Sequence, residues 1–349
     1  MGRRDGARMA RVAAAGLIPF LGAASLLLAL FPLPPAPAGA SVAAAAVPAR
    51  PSAGCAATTP VAPGTADLLL VAGGEDGAYV REIPSSYTGH KPMPVVVDLH
   101  GLGEPATLQV TISALGAYGQ KHGFITITPQ VAGAEPLWDT TLGSKDLAFI
   151  GGLMHTVDAR LCTDRNRLFV TGYSNGAFLT SSIACQFASQ VAAVAPVAGI
   201  EDPPGCHPSR PVPVVAFHGT ADQFVNYNGG PGPAGLKLVS GSGSLGTAMG
   251  DAIPTPGSPS IPANTAAWAK RNGCGSKPHR RAVTRDVTLI AYTCPRRASV
   301  ELYRVSGGGH SWPGSVGSKA IASVIGKVTY SISADAIMWK FFQAHPLRP

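Results

Sequence analysis

A serine in the pattern G-x-S-x-G lies near the middle of the sequence, in a context that could make it a nucleophile. Ser174 stands within Gly172-Tyr173-Ser174-Asn175-Gly176, after a strand-like apolar run and before an apolar run of helical length. In that context the motif forms a sharp strand-to-helix turn. The turn exposes the hydroxyl at the N-terminus of a helix, where main-chain N–H groups favour developing negative charge. With 42 glycines in the chain the pattern alone is weak, so the prediction depends on this context.

Two later segments offer the base and the acid that a serine nucleophile requires. Asp222 follows the apolar run Val212–His218, and His310 follows the run Val300–Val305 on a glycine-rich loop. Taken separately, Asp222 could cap a helix and His310 could be a surface histidine. The order Ser, Asp, His is the order that this kind of elbow requires. The three residues together therefore predict a catalytic triad.

An oxyanion hole is predicted from two main-chain N–H groups. One belongs to Leu102 in His100-Gly101-Leu102-Gly103, directly after the strand-like run Pro94–Leu99, and the other to Asn175 after the serine. These are the two places from which this type of site takes its donors. His100 is a competing base, but it precedes the serine in the chain, which favours a structural role.

Three aromatic residues near these motifs are candidate walls of a substrate pocket: Trp312, Trp138 and Tyr173. An aromatic platform would suit a phenolic or polyester acyl unit. The alternative is that the two tryptophans only pack within the core, and the sequence slightly favours it.

The elements that must position these residues alternate between strand-like and helix-like patterns. This alternation predicts an α/β fold in which a mostly parallel central sheet is covered by helices on both faces, in a single domain. The predicted strands are Leu68–Ala72, Tyr79–Ile83, Pro94–Leu99, Phe124–Thr128, Leu168–Thr171, Val191–Val197, Val212–His218, Thr288–Tyr292 and Val300–Val305. The predicted helices are Leu108–His122, Asp146–Arg160, Asn175–Gln186, Ala263–Asn272 and Ala334–Ala344.

One segment interrupts this alternation. Residues 228–262 are rich in Gly, Ser and Pro and show no clear period. A loop of this length in a compact domain is usually functional or disordered. We therefore expect an insertion near the acid, within a catalytic domain that spans residues 62–349.

The N-terminus predicts export. Residues 1–40 carry four arginines and one aspartate before an apolar run, and they end in Ala38-Gly39-Ala40. This pattern favours a signal peptide cleaved before Ser41 over a retained membrane anchor. Residues 41–61 are rich in Ala and Pro and predict a flexible linker. We expect a secreted protein, with retention at the cell envelope as the alternative.

The six cysteines all follow the expected cleavage site, and an even count in an exported chain favours disulfides. Cys274 and Cys294 flank a segment that could form a hairpin, and we expect them to pair. For the others we expect Cys185–Cys206 and Cys55–Cys162. The cysteines lack zinc spacing, so metal binding is the weaker interpretation.

Composition and charge exclude several classes of protein. Only 13% of the 349 residues are charged, against about 25% in ordinary soluble domains. The net charge of +8 falls to about +5 without the four arginines and one aspartate of residues 1–40. Lys and Arg form no dense cluster, so nucleic-acid binding has little support. No second apolar run approaches the length of a membrane span. For the oligomeric state, we expect a monomer.

Several motifs together resemble one family. The chain is similar to the secreted polyhydroxybutyrate depolymerase and feruloyl-esterase-like group of α/β-hydrolases, from about residue 62 to 345. Lys145 precedes Asp146 where that family commonly carries two acidic residues. The resemblance implies the α/β-hydrolase fold, with Ser174 as nucleophile, Asp222 as acid and His310 as base. The motifs that carry it are Leu99-His100-Gly101, Gly172-Tyr173-Ser174-Asn175-Gly176-Ala177, Ala195-Pro196-Val197-Ala198-Gly199, His218-Gly219-Thr220-Ala221-Asp222 and Gly308-Gly309-His310-Ser311-Trp312-Pro313-Gly314.

These observations favour a secreted serine esterase that needs no metal and no organic cofactor. Its substrate would be a small or oligomeric ester: a polyhydroxybutyrate-type oligomer, a feruloyl ester or a short-chain acyl ester. Two alternatives stay open at this point. One is an acyltransferase of the same fold that acts on cell-envelope sugars, and the other is a non-catalytic binding protein on a hydrolase scaffold.

Overall fold

The structure is a computed structural model that describes residues 47–133, 136–239 and 254–348. The expected signal peptide, its cleavage site before Ser41, and residues 240–253 of the insertion lie outside the described residues.

A sheet of ten strands forms the centre of the described domain, in the order β1-β2-β4-β3-β5-β6-β7-β10-β9-β8. The pairs from β4 through β3, β5, β6 and β7 to β10 are parallel, while β1, β2, β9 and β8 join by antiparallel pairing at the two sides. The strands are β1 Gly64–Ala72, β2 Glu75–Ile83, β3 Met93–Leu99, β4 Ile125–Val131, β5 Thr163–Tyr173, β6 Ala193–Val197, β7 Val214–Gly219, β8 His279–Ala282, β9 Val287–Ala291 and β10 Val300–Val305.

Helices cover both faces of this sheet. They are α1 Ala106–Ser113, α2 Leu115–His122, α3 Lys145–Arg160, α4 Asn175–Gln186, α5 Pro233–Val239, α6 Ile261–Arg271, α7 Val316–Ala320, α8 Ala322–Ile325 and α9 Ala334–Ala344. Two buried apolar clusters lie on opposite sides of the sheet, one with residues of α3, α4 and α6 and the other with residues of α1, α2 and α9.

The central strands carry continuous apolar runs because both of their faces are covered. In β3, Val95 and Val97 belong to the first cluster while Val96 belongs to the second. Every residue of β6 and β7 is buried. The predicted α/β-hydrolase fold, with its mostly parallel sheet and helices on both faces, is confirmed.

The structure differs from the sequence prediction at several elements. The single helix expected over residues 108–122 is two helices, because Ala114 adopts a left-handed conformation with φ 54° and ends α1. The short elements β8, α5, α7 and α8 were not predicted. Helix α5 lies inside the insertion, which was expected to lack secondary structure.

The N-terminal part of the domain also differs. From residue 47 on, the segment expected to be a flexible linker packs against the domain. The Ser52 hydroxyl donates to the Leu161 carbonyl at 2.6 Å, Pro51 forms a β-bridge with Asp164, and a short 3-10 helix spans Ala53–Ala56. The Ala- and Pro-rich composition of residues 41–61 does not reveal these contacts, because each contact is made by a single residue.

Disulfide bonds fasten three parts of the fold. They join Cys55 to Cys162, Cys185 to Cys206 and Cys274 to Cys294, which are the three expected pairs. The first holds the N-terminal segment beside β5, the second anchors the end of α4, and the third closes the β8–β9 hairpin.

Among the described residues, the helices are too short or too polar to cross a bilayer.

Candidate active site

Ser174 lies on a strained turn between β5 and α4. Its backbone has φ 55° and ψ −117°, a conformation that costs free energy and that clusters at functional sites. The chain can turn this sharply because two glycines allow close approach. A Cβ atom on Gly172 would collide with the main chain of Gly176, and one on Gly176 would collide with the carbonyls of Leu99 and His100.

His310 and Asp222 come together at the carboxyl ends of the neighbouring strands β10 and β7. Nδ1 of His310 lies 2.7 Å from Oδ2 of Asp222. The other carboxylate oxygen accepts hydrogen bonds from the main-chain N–H groups of Phe224 and Val225, at 2.8 and 2.9 Å. Burial raises the pKa of Asp222, but the charge and hydrogen bond of His310 outweigh it and hold that pKa below its ordinary value. Asp222 is therefore an anion that fixes the imidazole.

His218 is a second histidine beside the same carboxylate. Its Nε2 lies 3.3 Å from Oδ2 of Asp222 and 3.0 Å from the Val225 carbonyl. Burial lowers the pKa of His218, although the Asp222 charge opposes that effect. A neutral imidazole that carries its proton on Nε2 would donate to both oxygens. This residue stands first in the motif that ends at Asp222, but sequence reasoning gave it no role.

One pocket is lined by both Ser174 and His310. It has a volume of about 240 Å³, and Ser174, His310 and Leu102 all line it. We call it the nucleophile pocket. Its other walls are apolar except for Glu104, and they are formed by Phe224, Val225, Leu238, Ile321, Val324 and Ile325.

The loop that carries Leu102 is a tight turn held by two hydrogen bonds between Gly101 and Glu104. The Glu104 N–H donates to the Gly101 carbonyl at 3.3 Å, and the Gly101 N–H donates to Oε2 of Glu104 at 3.0 Å. Gly103 has φ 72°, a left-handed conformation that glycine adopts without strain. This turn places Leu102 in the lining of the nucleophile pocket.

Asn175 is the first residue of α4, where helix N–H groups point outward. Its side chain is locked by Trp138: Oδ1 accepts from the Trp138 N–H at 2.7 Å, and Nδ2 donates to the Trp138 carbonyl at 3.2 Å. This pair holds the elbow against the loop that follows β4.

Glu104 is a half-buried carboxyl group in the wall of the nucleophile pocket. Burial raises its pKa to about 7, against the lowering effects of the Gly101 N–H and of His310. Sequence reasoning missed this residue. The available signal was a carboxylate directly after a glycine-bounded loop at the end of β3.

His100 lies beneath this loop and away from the nucleophile pocket. It is stacked on Trp138 with ring centroids 4.6 Å apart, and its Nδ1 lies 2.8 Å from the Gly101 carbonyl. Burial lowers the pKa of His100 to about 4, which keeps the ring neutral. The structure thus gives His100 a packing position, and His310 is the histidine that lines the nucleophile pocket with Ser174.

The three aromatic residues expected at the substrate pocket do not line it. Trp312 is 0% exposed, and Trp138 and Tyr173 are each 1% exposed. Trp312 donates to Oδ1 of Asp335 at 2.8 Å, and Tyr173 donates to the His310 carbonyl at 2.5 Å. These rings can lie in the core because their polar atoms have buried hydrogen-bond partners there. Both tryptophans thus pack within the core, which is the alternative that the sequence slightly favours, and none of the three tentative pocket residues lines the nucleophile pocket.

The actual pocket wall comes from elements that the sequence pattern did not reveal. Ile321, Val324 and Ile325 belong to α8 and the residue before it, and Leu238 belongs to α5. Both helices are too short to show a 3.6-residue period clearly.

Within the described residues, no group of three His, Cys, Asp or Glu side chains is arranged to hold a metal ion.

Comparisons with known proteins agree with this architecture. No family model matches the chain. The chain is 30% identical over 273 residues to the probable feruloyl esterase C of Aspergillus clavatus, covering 76% of this chain and 83% of that protein. It is 28% identical over 244 residues to feruloyl esterase B of Piromyces equi, covering 66% of this chain but only 42% of that longer protein.

A solved structure shares the fold. The acetyl xylan esterase from Aspergillus awamori superposes with a TM-score of 0.50 at 16% identity, covering 74% of this chain and 98% of that one. At this identity the likeness shows the fold alone. The sequence relatives carry the assignment further: the chain belongs to the feruloyl-esterase-like family of α/β-hydrolases, which are carboxylic ester hydrolases.

Proposed function

We propose that this protein is an exported serine esterase that hydrolyses esters through an acyl-enzyme on Ser174. The observation that carries the proposal is the 2.7 Å contact between His310 and Asp222 at a pocket that His310 shares with the strained Ser174. A buried carboxylate that fixes an imidazole beside a nucleophile elbow is the arrangement that serine hydrolysis requires.

The proposed reaction has two halves. Ser174 attacks the ester carbonyl while His310 accepts its proton, and Asp222 stabilises the imidazolium that forms. The N–H groups of Leu102 and Asn175 bind the oxyanion, and one such donor is typically worth about 3 kcal/mol of barrier. His310 then gives its proton to the leaving alcohol, and water resolves the acyl-enzyme by the same route.

The nucleophile pocket supports an apolar acyl group as the bound part of the substrate. Its volume of about 240 Å³ and its walls of Phe224, Leu238 and Val324 suit an aromatic or short aliphatic acyl chain. The curated relatives are named feruloyl esterases, so among the expected substrates we propose feruloyl and short acyl esters ahead of hydroxybutyrate oligomers.

Export is the second part of the proposal. Three disulfides support an oxidising, extracellular environment, and the expected signal sequence supports the same location.

The test compares the protein with its Ser174→Ala variant on methyl ferulate and on short p-nitrophenyl esters. We expect kcat to fall at least a thousandfold in the variant, because the nucleophile is gone. Ser182→Ala is the matched control, since Ser182 lies on the same helix and its hydroxyl donates to the Thr140 carbonyl. Undiminished hydrolysis by Ser174→Ala would refute the proposal.

A further inference from the structure

We propose that a groove at the amino ends of the parallel strands binds the phosphate groups of a linear polyanion. The groove consists of two adjoining cavities, of about 200 Å³ and about 270 Å³, which share Arg210, Leu347 and Arg348 in their walls. We call it the arginine groove. This binding site is separate from the proposed esterase function and does not depend on it.

Five arginines that lie far apart in the sequence line this groove: Arg50, Arg210, Arg296, Arg297 and Arg348. Among the described residues in its walls there is no aspartate and no glutamate. None of the five arginines forms an ion pair with a residue in the described part of the chain. The fold thus assembles a cluster of positive charge that the sequence does not show, because its members come from four separate segments.

Two neighbouring groups leave this charge uncompensated. Asp164 accepts the main-chain N–H of Arg50 at 2.9 Å, but its carboxylate is paired with Arg167 at 3.4 Å. His345 also lines the groove, where burial lowers its pKa and favours the neutral ring. The groove therefore has a positive potential, which attracts anions.

Arg210 borders both cavities and is held in place by main-chain carbonyls. Its Nη1 donates to the Pro211 carbonyl at 2.6 Å, and its Nη2 donates to the carbonyls of Val191 and Ala192. Its Nε is buried and has no hydrogen-bond partner among the described residues. Burial lowers the pKa of Arg210 to about 10, so the side chain is still a cation at neutral pH. An anion in the groove would offset the cost of burying this charge.

The arrangement of the arginines favours phosphate over carboxylate. Four of them, from three separate segments, line the smaller cavity: Arg210, Arg296, Arg297 and Arg348. A planar carboxylate matches one guanidinium with its two oxygens, whereas a tetrahedral phosphate presents oxygens in several directions and can bind more than one guanidinium. Two adjoining cavities with arginine walls suit consecutive phosphates along a chain.

The remaining walls of the arginine groove disfavour two other anionic partners. No Phe, Tyr or Trp stands among the described residues that line it, so the bases of a nucleic acid would lack stacking partners. None of the large apolar side chains that the structure describes as exposed lines it either. It therefore lacks the apolar anchors with which proteins insert into a membrane surface.

The arginine groove and the proposed triad lie at opposite edges of the sheet. Ala192 and Pro213, in the wall of the smaller cavity, directly precede β6 and β7. Ser174, Asp222 and His310 follow the carboxyl ends of β5, β7 and β10. A polymer bound in the groove would thus hold the protein in place without covering the nucleophile pocket.

The experiment uses linear sodium polyphosphate as the probe. The measured quantities are its Kd, from isothermal titration calorimetry, and the slope of log Kd against the logarithm of the NaCl concentration. In the double variant Arg296→Gln/Arg297→Gln we expect Kd to rise about tenfold or more. The salt slope should fall by about one for each arginine removed. Both arginines are exposed, and the thermal unfolding midpoint shows whether the variant is folded.

The matched control is Arg280→Gln/Arg281→Gln, which removes the same charge from two exposed residues of β8 outside the groove. It should raise Kd by less than about threefold. Equal losses of affinity in the two double variants would show that net charge alone binds the polymer, and would overturn the proposal. If the first double variant does not fold, Arg348→Gln, which borders both cavities, takes its place in the same comparison.

Three further probes separate the possible anionic partners of the wild-type protein: polygalacturonate, an oligothymidylate and phosphatidylglycerol vesicles. We expect polyphosphate to bind more tightly than any of them at equal concentration of negative charge. Tighter binding of one of the three, or no binding of polyphosphate at all, would overturn the assignment.

Discussion

Two carboxyl groups on different loops stand close to the nucleophile pocket, and their chemical states differ: Glu104 lines the pocket, while Asp222 contacts His310. Asp222, on the loop after β7, faces two histidines and accepts two main-chain N–H bonds. Glu104, on the loop after β3, accepts one N–H bond, from Gly101. Burial acts on both groups, but only Asp222 has enough positive charge and enough donors for its pKa to fall, while that of Glu104 rises to about 7.

This difference shows that the partners of a buried carboxyl group decide its state. The two carboxyl groups therefore suit two different tasks within one site. In the proposed mechanism, a permanent anion is needed where an imidazolium forms, whereas a carboxyl group near the proposed oxyanion hole must be neutral to avoid opposing the oxyanion. Asp222, on the loop after β7, is an anion of this kind. Glu104, on the loop after β3, is neutral below about pH 7.

The largest expected effect comes from converting the anion of this pair to an amide. Asp222→Asn should lower kcat for methyl ferulate by about 10⁴, because an amide cannot both keep the loop bonds and hold His310 in the required tautomer. The two main-chain bonds to Oδ1 can persist, so the folded structure should survive. The measurement is kcat together with the thermal unfolding midpoint. A fall of less than tenfold in a folded variant would show that Asp222 does not orient the base.

A third carboxyl group, the buried Asp98 on β3, extends the comparison to stability. It accepts from Gln109 at 2.7 Å and from Ser113 at 2.5 Å, and no residue that the structure describes forms an ion pair with it. Burial raises its pKa to about 8, partly offset by these two hydrogen bonds. The folded state therefore binds a proton that the unfolded state releases near pH 4, and stability is lost as the pH rises from about 4 to 8.

Asp98→Asn should remove this loss of stability with rising pH. We expect the free energy of unfolding of the variant, relative to the wild type, to increase by about 4 kcal/mol between pH 5 and pH 8. Urea unfolding at the two pH values measures it. Asp67→Asn, at an exposed position on β1, is the control and should leave the difference unchanged. Parallel stability curves for Asp98→Asn and wild type would contradict the assignment.

The smallest expected effect concerns Glu104. Above about pH 7 its carboxyl group ionises and opposes the developing oxyanion, at a cost of about 1 kcal/mol, or roughly fivefold in kcat/KM. Glu104→Gln keeps an acceptor for the Gly101 N–H but cannot ionise. The variant should therefore lose the decline of kcat/KM between pH 6.5 and pH 8.5. A pH profile identical to that of the wild type would exclude this role for Glu104.

Much of this architecture could be predicted from the sequence, because its signals are local. The helix Asn175–Gln186 and the strand Val300–Val305 match the structure at both ends, since the elbow and the glycine loop mark their boundaries. The relative placement of Ser174, Asp222 and His310 followed from a general rule: the carboxyl ends of parallel strands meet at one edge of the sheet.

The rest depended on contacts between distant residues. Whether Trp312 faces a substrate or the core is decided by Asp335, which accepts its N–H, and no local pattern encodes that partnership. Ala114 breaks a helix where the sequence has no glycine or proline. The pocket wall from α8 and the state of Glu104 likewise depend on the packing around them.

The most direct test of the central claim is covalent labelling of the active serine. The wild-type protein is treated with a fluorophosphonate, digested and analysed by peptide mass spectrometry, beside the Asp222→Asn variant. The account predicts one label, on Ser174, and labelling that is at least a hundredfold slower in Asp222→Asn because His310 is no longer held as base. A label on another residue, or equal labelling rates in the two proteins, would contradict it.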